Sequence, residues 1–399
     1  MLLKEVLKRL EIDDLPVGAA DHWDESQISY VKEAFYLNKD FISHMADVIQ
    51  MNDELKKAYF DTAEKISLSE EASRFAWFLY HVYCVKKVPP TNDLPVPSRN
   101  ILGPNERMFV FIVLSPIAAE LEKSFETSGI PVKYFNSTMR SMDFQFKLCL
   151  DNTGSWGIWH PAWTVNYLNG GVFTVGRFVY RKNIYGGPVR SVLKDKISGK
   201  NVLLYDEGYS IRKDGHINGT NDIYEEGCTV TVYKEDEEGI TAHTAHDGIV
   251  ELSVSYFPFE RYEKKFSKGD VYLEIHIPSG SRLTNDVVLS SYKEALEFYN
   301  VHIGVSPKAL ICTTWLLDND FDRLLPPESN ILSFQSMYEL YPIKTNGGGV
   351  FSFMLFGDKD KPETWQQNTS FQKRMKEFLV NGGKTHENGG IILPCDIIN

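Results

Sequence analysis

The chain has 399 residues and a formal net charge of −12, with 42 Lys and Arg against 54 Asp and Glu. That length exceeds one average core, so two or three domains are expected, and the acidic balance argues against sequence-independent binding of nucleic acid, which needs clustered basic residues. No stretch approaches a run of apolar residues long enough to cross a membrane. The N-terminal MLLKEVLKRLEIDD is amphipathic and charged, without the apolar core of a leader, so a cytoplasmic location is expected. The five cysteines, Cys84, Cys149, Cys228, Cys312 and Cys395, are scattered without a CxxC, which argues against both a disulfide framework and a zinc-ribbon site.

Residues 1–100 read as a helical domain. Leu2–Leu10 is a short amphipathic helix, and Glu25–Leu37 and Asp40–Ile49 form a helix pair broken at Asn38. Ser67-Leu68-Ser69-Glu70 has the pattern of a capping box. It opens a helix with Ala72, Phe75, Ala76, Leu79, Val82 and Tyr83 on one core-facing stripe. Five prolines within residues 88–104 predict an extended connector. Residues 101–399 then read as a second domain. Its first part, residues 105–150, predicts two helices, about 105–128 and 135–150, the first stopped by Gly129-Ile130-Pro131.

From residue 151 the texture turns to strands. Trp163–Leu168 and Val172–Tyr180 predict a hairpin through Asn169-Gly170-Gly171. Residues 182–270 predict a β-rich insertion, with strands at Val202–Tyr205, Thr229–Tyr233 and Ile249–Phe257. The clearest unit is 271–317. Val271, Leu273, Ile275 and Ile277 alternate with Tyr272, Glu274 and His276, which is the period of a strand with one polar face. Pro278 ends it, Ser279-Gly280-Ser281 turns the chain, and Thr284 caps a helix starting near Asn285. Ala309–Trp315 follows as a buried strand. A loop ending in free helical N–H groups is a place to hold an anion. Further on, Ile331–Tyr341 predicts a helical turn running into a strand, and Val350–Phe356 a strand that pairs with it. Thr369–Val380 predicts a helix, and Gly390–Leu393 a short β tail.

Glu274 and His276 share one strand face with Tyr272, a carboxylate and an imidazole placed to take or relay a proton. Cys312, mid-strand among apolar residues, reads as buried and inert. Trp315 and Asp318, at a strand end, are candidates for a cleft wall. Arg177 suits either a ligand anion or a structural carboxylate. His243 and His246, with Asp247, read as surface residues, and no metal site is expected.

Several words along the chain resemble one family. They are Gly176-Arg177, Lys213-Asp214-Gly215-His216-Ile217, His276-Ile277-Pro278-Ser279-Gly280 and Cys312-Thr313-Thr314-Trp315-Leu316-Leu317-Asp318. Pro327-Glu328-Ser329-Asn330-Ile331 with Phe334-Gln335 completes the set. Together they resemble bacterial acyltransferase-like proteins with a helical N-acyltransferase N-terminal domain and a GNAT-like C-terminal domain. The resemblance implies an α+β fold, with a helical domain followed by a GNAT-like mixed sheet flanked by helices. It implies transfer of an acyl group from acyl-CoA to a small-molecule or protein amine. Glu274 and His276 would act as base or water relay, and Ser279, Gly280, Ser281, Arg282, Thr284 and Asn285 would hold the cofactor. Tyr272, Arg177, Trp315 and Asp318 would line the substrate side. Acyl-CoA-binding members of the wider fold carry a Gln/Arg-x-x-Gly-x-Gly/Ala loop, and this chain has only one glycine there. The alternative is a GNAT-fold module that binds a ligand or partner without catalysis.

Overall fold

In the computed structural model, residues 1–398 are described. The chain divides into two compact units, Met1–Val175 and Gly176 onward.

The first unit is helical: α1 (Leu3–Arg9), α2 (Lys39–Ile49), α3 (Asp53–Leu68), α4 (Glu70–Tyr80), α5 (Met108–Ser128), α6 (Val132–Arg140), α7 (Met142–Thr153) and α8 (Pro161–Leu168). Residues Met108–Pro116 of α5 are buried on every side, so this helix runs through the core instead of along its surface. Phe75 of α4 stacks on Phe109, and Phe111 meets Phe146 of α7 edge to face. Gly129 ends α5 in a left-handed turn, as Gly-Ile-Pro predicts.

Local details differ from the sequence reading. The cap of α4 is Ser69, which accepts from the Ala72 N–H, while Ser67 bonds back to Ala63 within α3. Residues 25–37 hold two short helical pieces, Trp23–Ile28 and Phe35–Leu37, instead of one helix. The helix expected over 135–150 is broken at Ser141 into α6 and α7. Trp163–Leu168 is helical, not a strand, so the hairpin at Asn169-Gly170-Gly171 does not form. Pro161 starts that helix with its preset φ, and Pro161, Thr164 and Leu168 are buried at helical spacing.

The second unit is built on two large sheets, with a small two-stranded one of Ser210–Ile211 and Thr229–Val230. In chain order this unit's strands in the two large sheets are β1 (Phe178–Ile184), β2 (Val189–Asp195), β3 (Asn201–Tyr205), β4 (Tyr233–Glu235), β5 (Gly239–His246), β6 (Ile249–Pro258), β7 (Tyr262–Ser267), β8 (Val271–His276), β9 (Ala309–Thr314), β10 (Glu339–Pro342) and β11 (Asn388–Ile392). One sheet runs β1-β8-β9-β11-β10. β8 is antiparallel to β1 and parallel to β9, and β11 is antiparallel to both of its neighbours. The insertion forms the other sheet, β7-β2-β3-β5-β4, with β6 added on β5. Helices α9 (Asn285–Val301), α10 (Asn330–Gln335) and α11 (Ser370–Val380) flank the sheets, and a short helix, Pro394–Ile398, follows β11. The α+β architecture expected from the sequence is the one observed.

Each face of the first sheet has its own cover. Alternation puts Tyr180, Ile275 and Cys312 on one face, in register across three strands. There α9 packs, with the Tyr180 hydroxyl 2.8 Å from Ser291 Oγ and Tyr292 stacked on Phe178. The opposite face carries Tyr272, Ala309 and Ile311. They pack with Tyr341 and Ile391 against Val192, Leu203 and Tyr205 of the insertion sheet, in one apolar core.

Two expectations near the C-terminus are corrected. Val350–Phe356 is a wide helical turn over Phe351–Leu355, with Phe351, Met354 and Leu355 buried at i, i+3 and i+4, so it does not pair with β10. The segment read as a tail, Gly390–Leu393, lies largely within β11, an interior strand between β9 and β10.

Candidate active site

The site is framed by β8, the loop Pro278–Thr284 and the start of α9. The ladder between β8 and β9 runs from Tyr272↔Ala309 to Ile275↔Cys312. Both strands continue past that point, but with other partners: His276 with Val179 of β1, and Thr313 and Thr314 with Gly389 and Asn388 of β11. The parallel pair therefore parts at its C-terminal end, directly before the turn into α9.

Glu274 and His276 stand at this opening. Their closest side-chain atoms, Oε1 and Nε2, are 3.7 Å apart, and each side chain is about one-third exposed. The facing His276 imidazole is the main reason that the Glu274 carboxyl is held below its ordinary pKa, and Arg181, its partner in register on β1, adds to it. Glu274 is thus an anion beside an imidazole, the pairing expected of a base and its relay. Tyr272, two residues back, is half-buried and meets Tyr185 edge to face. Burial and the nearby Glu274 push its hydroxyl up to about 12, so it remains a neutral phenol.

The loop is organised by Arg177. Its Nε donates to the Ser281 carbonyl and its Nη1 to the Pro278 carbonyl, both at 2.9 Å. The backbone before it is equally constrained. Gly176 has φ +59°, and a Cβ there would lie 2.9 Å from that of Ser291 on α9. Ser279, Gly280, Ser281 and Arg282 are exposed, and Gly280 has φ +145° with nothing within 4 Å of where a Cβ would stand. Only glycine adopts that backbone readily, which leaves room over the loop. Thr284 is the N-cap of α9, as the sequence predicts, but its side chain makes no capping bond. Asp286 covers the first turn instead, its carboxyl lowered by hydrogen bonds from Thr284 and the Val287 N–H. Asn285 Oδ1 accepts from Ser333 Oγ of α10.

The other sequence candidates have surroundings of their own. Trp315 packs edge-on against Phe321 in an apolar cluster with Val350 and Leu355. Asp318 is fully buried, and its oxygens accept the N–H groups of Asp320 and His386. Cys312 is buried, and desolvation raises its thiol far above the ordinary range, as expected of an inert cysteine. His243 is buried, accepting the Val232 N–H on Nδ1, whereas His246 is exposed and paired with Glu251. The surface reading holds for His246 and fails for His243. Arg181, Asn183 and Asp286 escaped the sequence reading, because their place beside Glu274 or the loop depends on strand register and on a side chain turned back over its own helix.

A parallel strand pair that parts beside a loop and a helix N-terminus, within a mixed sheet, is the frame of a GNAT-type acyltransferase fold. A profile of the GNAT-like C-terminal domain matches residues 172–392, more than half of the chain, and the chain belongs to that family. Similar solved structures include an acyltransferase mutant in complex with octanoyl-CoA, 14% identical, covering 99% of this chain and 100% of that one with a TM-score of 0.63. An acyltransferase in complex with decanoyl-CoA and teicoplanin is also 14% identical, covering 98% and 99% with a TM-score of 0.61. A third, with decanoyl-CoA, is 16% identical, covering 99% and 100% with a TM-score of 0.60. At these identities the likeness is one of fold. No curated protein matches by sequence.

Proposed function

We propose that this protein transfers an acyl group from an acyl-CoA thioester to an amine of a small molecule. The observation that carries this reading is the end of the β8–β9 ladder at Ile275/Cys312, with Glu274 and His276 at the opening. The pyrophosphate would lie over the exposed loop Ser279–Arg282 and the first amides of α9, where helix N–H groups favour negative charge. The thioester would enter where the strands part. Glu274, directly or through His276, takes the proton from the attacking amine; the C–N bond forms, the C–S bond breaks, and the CoA thiol leaves. The acyl-CoA complexes of the structural neighbours support the same donor class, and the octanoyl and decanoyl chains name the first donors to try.

Isothermal titration with acetyl-, octanoyl- and decanoyl-CoA tests the donor. Binding of at least one is expected, and the absence of heat at millimolar ligand would remove the proposal. The non-catalytic alternative has its own support in Asp286, an acidic residue in the first turn of α9, where a pyrophosphate would lie. Binding of acyl-CoA without thiol release, across a panel of primary amines, would favour that alternative.

A further inference from the structure

The turn after β9 and the residues entering β11 bring together three donor groups that acyl transfer does not use. Asp318, Asp320 and His386 each offer one ligand atom, and these atoms lie within 4.8 Å of one another. His386 Nδ1 is 3.8 Å from Asp318 Oδ1 and 3.7 Å from Asp320 Oδ2. These gaps are too long for hydrogen bonds. They are close to the spacing of about 3.4 Å between neighbouring ligands held roughly 2.1 Å from a tetrahedral ion.

Each donor is already fixed by other contacts. The carboxylate of Asp318 is oriented by the N–H groups of Asp320 at 3.1 Å and His386 at 2.8 Å. Asp320 turns Oδ1 towards Arg323 at 3.2 Å, which leaves Oδ2 facing the histidine. The His386 ring lies against His216, centroids 4.1 Å apart and nearly parallel.

An independent observation points to a ligand. His386 is only 8% exposed, yet its Nδ1 has no hydrogen-bond partner and is directed at both carboxylates. Asn388, two residues on and 1% exposed, likewise has an Oδ1 without a partner. Buried polar atoms are almost always satisfied, so two in one neighbourhood call for an explanation.

We propose that Asp318, Asp320 and His386 bind a divalent cation of the zinc class, tying the turn after β9 to the start of β11. One imidazole with two carboxylates suits such an ion, whereas calcium and magnesium favour all-oxygen shells. Asp320, the most exposed of the three, gives the route of entry, and a water would complete the shell.

The test uses the full chain, stripped with a chelator and titrated calorimetrically with zinc chloride, then with calcium and magnesium chloride. The expected result is one zinc per chain, bound at least tenfold more tightly than calcium or magnesium. Asp320→Asn and His386→Ala should each weaken zinc binding tenfold or more, and zinc should raise the melting temperature of the wild type but not of Asp320→Asn. Circular dichroism confirms that each variant is folded. If His386→Ala does not fold, the nearly isosteric Asp320→Asn decides alone. No zinc binding, unchanged affinity in the folded variants, or calcium bound as tightly as zinc would each overturn the proposal. Because CoA takes no part in this test, its outcome is separate from that of the acyl-transfer reading.

Discussion

Glu274 and His276 combine two properties of an acid–base pair: proximity on one strand face and a carboxylate kept ionised by its neighbour. If Glu274 is the base, Glu274→Gln lowers kcat on the order of 10²–10⁴-fold and leaves the KM for acyl-CoA nearly unchanged, as thiol-release kinetics would show. The same pairing has a pH signature. A carboxyl whose folded pKa lies below its ordinary value of 4.5 adds stability that is present above that value and is lost as pH falls through the folded pKa. Urea unfolding of the wild type and Glu274→Gln should therefore differ at neutral pH and converge in acid. That these two residues share a face was legible from the period-two alternation. Contacts such as that of the His386 N–H with Asp318, 68 residues away, were not, because nothing in local spacing encodes them.

The elements around the loop show how a short word in the sequence becomes geometry. Gly176 and Arg177 stand side by side. The first lets the chain pass close under α9, and the second holds two loop carbonyls. Gly176→Ala combines a left-handed backbone with a clash at Ser291, so a loss of about 1–3 kcal/mol is expected in thermal melts. Asp286→Asn removes a negative charge from the first turn of α9 and should tighten CoA binding up to a few-fold, since a helix N-terminus favours an anion. An unchanged or weaker affinity in calorimetry would mean that the phosphates lie elsewhere. The strand–loop–helix–strand order of 271–317 was legible because two periods and two caps agree. Trp163–Leu168 and Val350–Phe356 were misread because aromatic and β-branched composition suggests strands, whereas Pro161 and the i, i+3, i+4 burial of Phe351, Met354 and Leu355 decide for helical turns.

In the second unit, the β-rich insertion supplies half of a core. Ile311 and Ile391 from one sheet meet Val192 and Leu203 from the other, and the Tyr205 hydroxyl donates to the Pro342 carbonyl across the gap. Ile311→Ala should cost about 2–5 kcal/mol in denaturant unfolding, since it opens a cavity at a position with little room to collapse. A loss below about 1 kcal/mol would mean that the insertion sheet bears little of the packing load. The β character of the insertion and its strands at 202–205 and 249–257 were legible, but the order of the sheet was not, because Gly- and Asp-rich turns separate the strands and pairing partners cannot be matched by pattern alone.

The interior place of β11 sets an order of events during synthesis. Asn388–Ile392 separates β9 from β10, so neither of those strands can complete its pairing until nearly the whole second unit has left the ribosome. Until then β9 exposes an unpaired apolar edge, the kind of surface that chaperones cover and that aggregates when they do not. A chain truncated before residue 388 would therefore be sticky and protease-sensitive.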